Sequence, residues 1–318
     1  METIRKKIVL EAKDNMTIQD GVDEFIRHCK IRNYSIKTVE NYTVTARRFG
    51  RFLSLDNPIS ELQIENVNSY ILSMQSESLS EYSVMTNIKN LRTIFYFFMM
   101  KGWLAEFKIK LPKAEKKLKE TYSDGELKRL LKKPDLKKCV FSEYRNWVMV
   151  NFFIGTGIRL NSLVNIKILD LDFDNEVVKL TKTKSRKQVF LPITGTLLEV
   201  LKEYLRLRNG EDGDYLFCSQ YGEKLTPDGM QSIIQKYNHS RGVEKSSIHL
   251  FRHSFAQRYL LSGGDIFRLQ KLMCHNDIRS TKEYLDLCTN DLKVNYEKFN
   301  PLEQLVDKNR KYIRMNKN

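Results

Sequence analysis

The sequence predicts a mainly α-helical protein of two domains, the second of which carries a small β-ribbon. Three observations favour this fold class. The chain has 318 residues and is 41% hydrophobic, so each half can bury a core of its own. Apolar residues recur at helical spacing through most of the chain. Residues 108–120 are rich in lysine, contain a proline and show no apolar periodicity, which is typical of a linker.

The first domain is expected over residues 17–107, after a charged and loosely ordered lead-in at 1–16. Its helices are predicted at about 17–29, after Ser35, at 64–75 and at 80–101. The last of them carries a stripe of apolar residues with a spacing of three to four, which we interpret as core: Val84, Ile88, Leu91, Phe95 and Phe98. This half of the chain therefore predicts a compact helical domain with basic polar faces.

The predicted linker contains six lysines and two glutamates. A run of charge is usually only solvated, but a basic linker between two domains is equally suited to follow a phosphate backbone. The residues expected to contact DNA in this way are Lys108, Lys110, Lys113, Lys116 and Lys117.

The second domain is expected over residues 121–295, followed by a basic tail at 296–318. Ser123 and Glu126 have the spacing of a capping box at a helix start. A largely apolar helix at about 143–154 ends at Gly155-Thr156-Gly157, and short strands with turns follow within 169–193. Further helices are predicted at 194–207, 226–238, 249–262 and 279–288, with a helix opened by Asp265 between the last two.

The charge balance favours a polyanionic partner. Lys and Arg number 54 against 39 Asp and Glu, a net charge of +15, which points first to nucleic acid and second to an anionic membrane surface. The sequence contains no apolar run long enough for a bilayer and no signal peptide. Its five cysteines are scattered without metal-ligand spacing, and no P-loop motif is present. We therefore expect a cytoplasmic protein with reduced thiols, no metal and no cofactor.

Chemistry is concentrated between His249 and Tyr284. His249 and Arg252 are spaced i, i+3 near a helix start, so they share a face, and an arginine fork can hold two phosphate oxygens. Arg159 follows the Gly-Thr-Gly turn, which would hold it near a ligand. Tyr284 lies nine residues after His275, and its hydroxyl is a weak nucleophile unless cations or a base support it.

Each of these residues also has an ordinary structural interpretation. His249 could cap a helix, Arg159 could be an exposed residue at a helix start, and Tyr284 could be packing. The lysines near 181–187 lie in a predicted β-turn, where most lysines are solvated, although one could protonate a leaving 5′ oxygen. For His253 we expect a structural role.

In order and spacing, three motifs together resemble the tyrosine recombinases of the phage integrase type. They are TGIR at 156–159, HLFRHS at 249–254 and LMCHNDIRSTKEY at 272–284. The resemblance extends over about residues 17–295. It implies a helical, SAM-like core-binding domain and an α+β catalytic domain that together clamp duplex DNA. It further implies a site-specific recombinase that cuts and rejoins DNA through a 3′-phosphotyrosyl intermediate.

Carried over onto the matching positions, Arg159 and Arg252 would hold the scissile phosphate, and His249 and His275 would complete the pocket. Tyr284 would attack phosphorus. Lys184 would act as the general acid, with Lys182 as the alternative. The resemblance also implies a homotetramer on paired recombination sites, association with the nucleoid, and chemistry that needs neither metal nor ATP.

The chain departs from the family pattern at two positions. Cys274 stands where a glycine usually precedes the histidine, and Ser162 stands where an acidic residue often follows the first arginine.

We expect integration or excision of a mobile element such as a transposon, a phage or an integrative element. The alternatives are a chromosome- or plasmid-dimer resolvase, a type IB topoisomerase, a catalytically silent DNA-binding regulator and, least favoured, a basic membrane-surface protein.

Overall fold

The chain divides into two compact units, Met1–Lys117 and Leu118–Asn318. They are seen in a computed structural model that describes residues 16–115, 120–180, 189–275, 277–285, 296 and 300–305. Most of these residues are helical, and one small sheet lies in the second unit. The predicted fold class is therefore confirmed.

Helices α1 to α4 form the N-terminal unit. They span Ile18–Ile31, Ile36–Phe52, Ile64–Ser76 and Glu81–Met100, with a short 3₁₀ turn at Ile59–Glu61. A helix follows Ser35 as predicted, and Ser35 caps it, because its side chain accepts a hydrogen bond from the Thr38 amide. Thr17 caps α1 in the same way, in a reciprocal capping box with Asp20. Local capping chemistry thus fixes where these helices begin.

Helix α4 provides the largest buried surface of this unit. Every member of its predicted apolar stripe is buried, together with Ile94 and Phe97. On α2, Ala46 and Phe49 face the core, whereas Phe52 is 38% exposed. The aromatic rings of Phe49, Phe95 and Tyr70 meet edge to face across α2, α3 and α4. The helical periodicity of the sequence therefore identifies the core of this unit well.

The first part of the predicted linker packs on the N-terminal unit. Ile109 is buried in that core, and its amide donates to the Tyr96 hydroxyl over 3.3 Å. Lys108, Lys110 and Lys113 are exposed on the other side of this segment. Lys116 and Lys117 lie outside the described residues.

The C-terminal unit contains the remaining elements. Helices α5 to α8 span Asp124–Leu131, Phe141–Thr156, Leu160–Leu163 and Gly195–Arg208. Helices α9 to α13 span Pro227–Ser240, Ile248–Leu261, Ile266–Leu272, Arg279–Lys282 and Pro301–Leu305. Strands β1 to β3 span Leu171–Asp172, Val177–Leu180 and Val189–Pro192, after a 3₁₀ turn at Ile168–Asp170.

The strands form one antiparallel sheet in the order β1-β2-β3, in which Val178 pairs with Leu171 on one side and Leu191 on the other. The turn predicted near Asp174-Asn175 is confirmed, because the Asp172 carboxylate accepts from the Asn175 amide over 3.0 Å. The turn between β2 and β3, residues 181–188, lies outside the described residues.

Helix α6 forms the centre of the C-terminal unit and packs against α8 and α10. It is buried on nearly every side, as expected for a helix with apolar residues all round. Phe153 of α6 stacks on Phe251 of α10 with ring centroids 6.0 Å apart. The predicted capping box at Ser123 and Glu126 is also confirmed. This core holds α10 against the end of α6, which determines the geometry of the site below.

Among the helices that the structure describes, none is both long and apolar enough to cross a bilayer.

Candidate active site

The end of α6 forms the first wall of the site. Gly157 terminates the helix in the left-handed region, with φ of +62°, and its amide donates to the Phe153 carbonyl. A β-carbon at this position would lie 2.3 Å from Cδ1 of Phe255, so glycine is required by space as well as by conformation. The turn directs the Gly157 carbonyl toward α10, where Arg252 binds it.

The turn after α11 forms the second wall. The Cys274 amide donates to the Lys271 carbonyl and the His275 amide to the Gln270 carbonyl, both over 3.0 Å, which is the pattern of a Schellman motif. Its central residue must adopt positive φ, and Cys274 does so at +49°. The glycine that the family usually has here is therefore explained by backbone geometry, and this chain tolerates a side chain in the same conformation.

Arg252 joins the two walls. It is 6% exposed, and its Nη1 donates to the Gly157 carbonyl while Nη2 donates to the Met273 carbonyl, each over 2.6 Å. Carbonyls at the ends of α6 and α11 have no partner within their helices, so they are natural acceptors for a cation. Burial, and then the nearby Arg159 charge, lower the pKa of Arg252 to about 10, so the guanidinium remains charged at neutral pH.

Arg159 is the second cation of the site. It lies at the start of α7, and its Nη1 donates to the Cys274 carbonyl over 2.9 Å. Burial lowers the pKa of this guanidinium as well. The partners of both arginines in the described chain are neutral carbonyls, the His275 ring and the Tyr284 hydroxyl. Two partly buried positive charges with neutral partners favour an anion between them.

His275 is held by hydrogen bonds at both ring nitrogens. Nε2 lies 2.8 Å from Nη2 of Arg252, and Nδ1 lies 2.8 Å from the hydroxyl of the fully buried Thr281. Because a guanidinium only donates, Nε2 accepts and Nδ1 carries the proton that it donates to Thr281. The histidine is thereby fixed as one neutral tautomer beside the cations.

Tyr284 follows α12 and completes the described site. It is 2% exposed, its ring is parallel to that of His275, and the centroids are 6.2 Å apart. Its hydroxyl hydrogen-bonds Arg252. Burial raises the pKa of Tyr284, and the charges of Arg252 and Arg159 act in the opposite direction. The hydroxyl is therefore protonated at neutral pH in this state, with two cations ready to stabilise its anion.

The other predicted site residues lie in different surroundings. His249 is exposed in the first turn of α10. Lys184 and Lys182 lie outside the described residues, so the identity of the general acid stays a prediction. Ser162 lies on α7, one turn after Arg159, where an acidic side chain is usual in the family.

His253 is the residue whose position the sequence analysis missed. Its Nδ1 lies 3.2 Å from the Tyr284 hydroxyl, with the two ring centroids 5.5 Å apart. A signal was present in the sequence, because positions 249 and 253 are spaced i, i+4 and so share one face of α10. A structural role was expected for His253, and the structure places it in contact with Tyr284.

Groups of three or more His, Cys, Asp or Glu side chains that could hold a metal ion do not occur among the described residues. The candidate site is thus built from arginine, histidine and tyrosine.

Two family models match the chain. The model described as the phage integrase family matches residues 121–290, and the model described as the phage integrase N-terminal SAM-like domain matches residues 22–103. The first covers the site and the whole core around α6. The second covers most of helices α1 to α4.

Curated relatives match along nearly their whole length. Tyrosine recombinase XerC of Leptospira interrogans is 27% identical over 295 residues, which cover 90% of this chain and 94% of the relative. Tyrosine recombinase XerA of Thermococcus onnurineus is 27% identical over 296 residues, covering 92% of this chain and 99% of the relative.

Among solved structures, the Tn1549 transposon integrase in complex with transposon right end DNA is similar in fold. Its TM-score is 0.72 at 19% identity, with 87% of this chain and 99% of that chain covered.

Fold and sequence together define a DNA recombinase of the tyrosine class. The chain belongs to the phage integrase family, because the model of that family covers more than half of its residues. It is a tyrosine-type site-specific recombinase, and the predicted family assignment is confirmed.

Proposed function

We propose that this recombinase binds duplex DNA at specific sites and cleaves one strand by attack of Tyr284 on phosphorus. The product is a 3′-phosphotyrosyl link and a free 5′ hydroxyl. The 5′ hydroxyl of another strand then reverses the step and releases the tyrosine. The energy of the phosphodiester is kept in the covalent intermediate.

The observation that carries this proposal is the convergence of Arg252 and Tyr284. One buried guanidinium contacts the tyrosine hydroxyl, the His275 ring and the carbonyls at the ends of two helices. Fixed cations at the position where charge develops are usually the largest contribution to phosphoryl transfer. A tyrosine used only for packing would not need this environment.

The remaining roles follow from chemistry. Arg159 and Arg252 hold non-bridging oxygens of the scissile phosphate, and His275 orients Arg252 through Nε2. His249, exposed on the same helix as Arg252, donates to the phosphate when DNA is bound. Lys184, or alternatively Lys182, protonates the leaving 5′ oxygen.

We further propose that both units contact DNA, with domains at 17–107 and 121–295 joined by the basic linker. Lys108, Lys110 and Lys113 support this role, because they are exposed along a segment that Ile109 fixes to the N-terminal unit. The Tn1549 integrase was solved with DNA. We expect Lys116 and Lys117 to extend the same contact, and four protomers to act on two paired sites.

The test uses a nicked duplex that traps the covalent adduct. Genomic fragments from the source of the chain are first screened for adducts with the purified protein, and the cleaved site is mapped. The wild-type chain should form an adduct at this site, and Tyr284→Phe should form none. The control is Tyr296→Phe, which alters an exposed tyrosine that follows the site in sequence. Adducts that persist in Tyr284→Phe would contradict the proposal.

For the biological role we propose integration or excision of a mobile element, which the fold similarity to a transposon integrase supports. Resolution of chromosome or plasmid dimers by the same chemistry is the second candidate. Mapping adducts across the host genome separates the two. Adducts at both ends of one inserted element support the first role, and adducts at a single chromosomal or plasmid locus favour the second.

A further inference from the structure

The contact between His253 and Tyr284 has a chemical meaning that packing does not require. His253 is half-buried on α10 and directly follows Arg252, so the two side chains leave the helix in adjacent directions. Both approach the Tyr284 hydroxyl, His253 with Nδ1 at 3.2 Å and Arg252 with its guanidinium. The phenol oxygen is thus held between a cation and an imidazole.

The position of the phenolic proton follows from the donors and acceptors around it. A guanidinium has five N–H donors and no acceptor, so the Tyr284 oxygen accepts from Arg252. The same oxygen can then donate its own hydrogen to Nδ1 of His253, which accepts it when the imidazole is neutral with its hydrogen on Nε2. This arrangement satisfies the hydroxyl on both sides and directs its proton toward His253.

The proton has to leave when the tyrosine attacks. Burial raises the pKa of Tyr284, so the hydroxyl is not ionised in advance at neutral pH. His275 is poorly placed to take the proton, because its Nε2 already accepts from Arg252 and its Nδ1 faces Thr281. The nitrogen of His253 that faces the hydroxyl is suited to do so.

We propose that His253 is a further catalytic residue, the general base that deprotonates Tyr284; this rests on the proposed role of Tyr284 as nucleophile. As the Tyr284 oxygen forms its bond to phosphorus, the phenolic proton moves to Nδ1 of His253. The bond from phosphorus to the 5′ oxygen breaks, and that oxygen takes a proton from the general-acid lysine. In the rejoining step, His253 returns its proton to the departing tyrosine.

This role predicts a dependence on pH, because a protonated imidazole cannot act as a base. Cleavage should be slow in acid and should rise as the imidazole loses its proton. The charged and titratable groups around His253 and Tyr284 come from four places. These are α10, the start of α7, the turn after α11 and the end of α12. The groups are His249, Arg252, Arg159, Cys274, His275 and Glu283.

The experiment measures single-turnover cleavage of the mapped site in a duplex whose bridging 5′ oxygen is replaced by sulfur. A thiolate leaves without a proton, so the general-acid lysine no longer contributes to the pH profile. The variant is His253→Asn, whose amide oxygen can accept the phenolic hydrogen bond in place of Nδ1 but cannot take the proton. The matched control is His239→Asn, at a histidine on α9 that is 45% exposed and lies beside Glu244.

We expect His253→Asn to bind DNA normally and to cleave about 10²-fold more slowly, as removal of a general base does. The wild-type rate should rise from about pH 5.5 to about pH 7.5, the range in which imidazoles titrate, and the variant should lose this rise. His239→Asn should match the wild type. An unchanged or faster rate in His253→Asn, with the pH profile kept, would overturn the inference.

The wild-type profile is a second measurement that needs no variant at position 253. A wild-type rate that is flat over this range would also overturn the role of His253. The failure of the proposed function is distinguishable, since it would appear as adducts that do not depend on Tyr284. If adducts require Tyr284 but not His253, the role of His253 as general base is contradicted and the role of Tyr284 as nucleophile is not.

Discussion

The two cations of the site and Tyr284, the proposed nucleophile, are held in different ways. Arg252 extends from α10, which is packed into the large core around α6, and it is tied to the carbonyls of Gly157 and Met273. Tyr284 lies in a small separate cluster with Ala256, Leu269 and Met273. Its hydroxyl hydrogen-bonds the side chains of His253 and Arg252.

This difference supports distinct roles for the preset cations, which we propose bind phosphate, and for the proposed nucleophile, which packs outside the large core. Carbonyls fixed by the ends of helices orient the cations before DNA arrives, which is the arrangement that stabilises charge most efficiently. A side chain packed in this small cluster can adjust its position at a lower energetic cost than one packed in the large core. Loss of an arginine should therefore reduce cleavage most, and changes in the residues that surround Tyr284 should reduce it less.

The largest effect is expected from Arg252→Ala. Loss of the guanidinium removes a cation from the phosphate and the donor from two buried carbonyls, so cleavage should fall by about 10²–10³-fold while DNA binding stays detectable. Arg252→Lys keeps the charge but cannot bridge both carbonyls, and it should recover only part of the rate. Single-turnover cleavage and a gel-shift assay measure both properties. Full activity in Arg252→Ala would show that the preset guanidinium is not needed for cleavage.

Gly157→Ala tests the rigidity of the arginine half. The new methyl group would lie 2.3 Å from Phe255 in a residue with φ of +62°, so the free energy of unfolding should fall by about 3 kcal/mol. Gly242→Ala is the matched control, because its φ is +66° with open space around it. The control should cost only about 1 kcal/mol for its conformation. Equal losses in urea denaturation would show that the contact with Phe255 does not constrain the turn.

Thr281→Val tests the nucleophile half. The substitution keeps the shape of a fully buried side chain but leaves Nδ1 of His275 without this acceptor, at a cost of about 1–2 kcal/mol. If the lost hydrogen-bond energy raises the activation barrier because His275 is no longer held in place, cleavage should fall by roughly tenfold. Thr281→Ser keeps the hydroxyl and should retain most of the activity. A loss as large as that of Arg252→Ala would mean that the two halves are not held differently.

The smallest effect, and the only gain, is expected from Cys274→Gly. Glycine adopts positive φ without the strain that a side chain brings, so stability should rise by about 0.5–1 kcal/mol. Cys274→Ala removes the thiol but keeps the strain, and it should show no such gain. Urea midpoints of the two variants decide the matter. A Cys274→Gly variant no more stable than Cys274→Ala would exclude strain as the reason for glycine in the family.

Much of this architecture was predictable because its signals are local. The cap at Ser123 and the glycine at 157 fix helix ends through contacts within a few residues, and the sequence places them correctly. The apolar stripe of α4 identifies its buried face for the same reason. The motifs also bring Arg159, Arg252, His275 and Tyr284 together as expected.

Other features depend on contacts between distant segments and could not be predicted. The i, i+4 spacing of His249 and His253 gives only a shared helix face, whereas the contact of His253 with Tyr284 also requires the path of the chain after α11. The burial of Ile109 within a lysine-rich stretch depends on the core that receives it. The choice between Lys184 and Lys182 lies outside the described residues and stays a prediction.

The central claim is that Tyr284 is the nucleophile held beside preset cations, and one measurement tests it most directly. The covalent complex is digested with trypsin, and the peptide that carries DNA is identified by mass spectrometry. Cleavage at lysines separates residues 283–293, whose single tyrosine is Tyr284, from residues 294–298, which contain Tyr296. We expect the nucleotide to be attached to the first peptide. Attachment to Tyr296, or to any other residue, would contradict it.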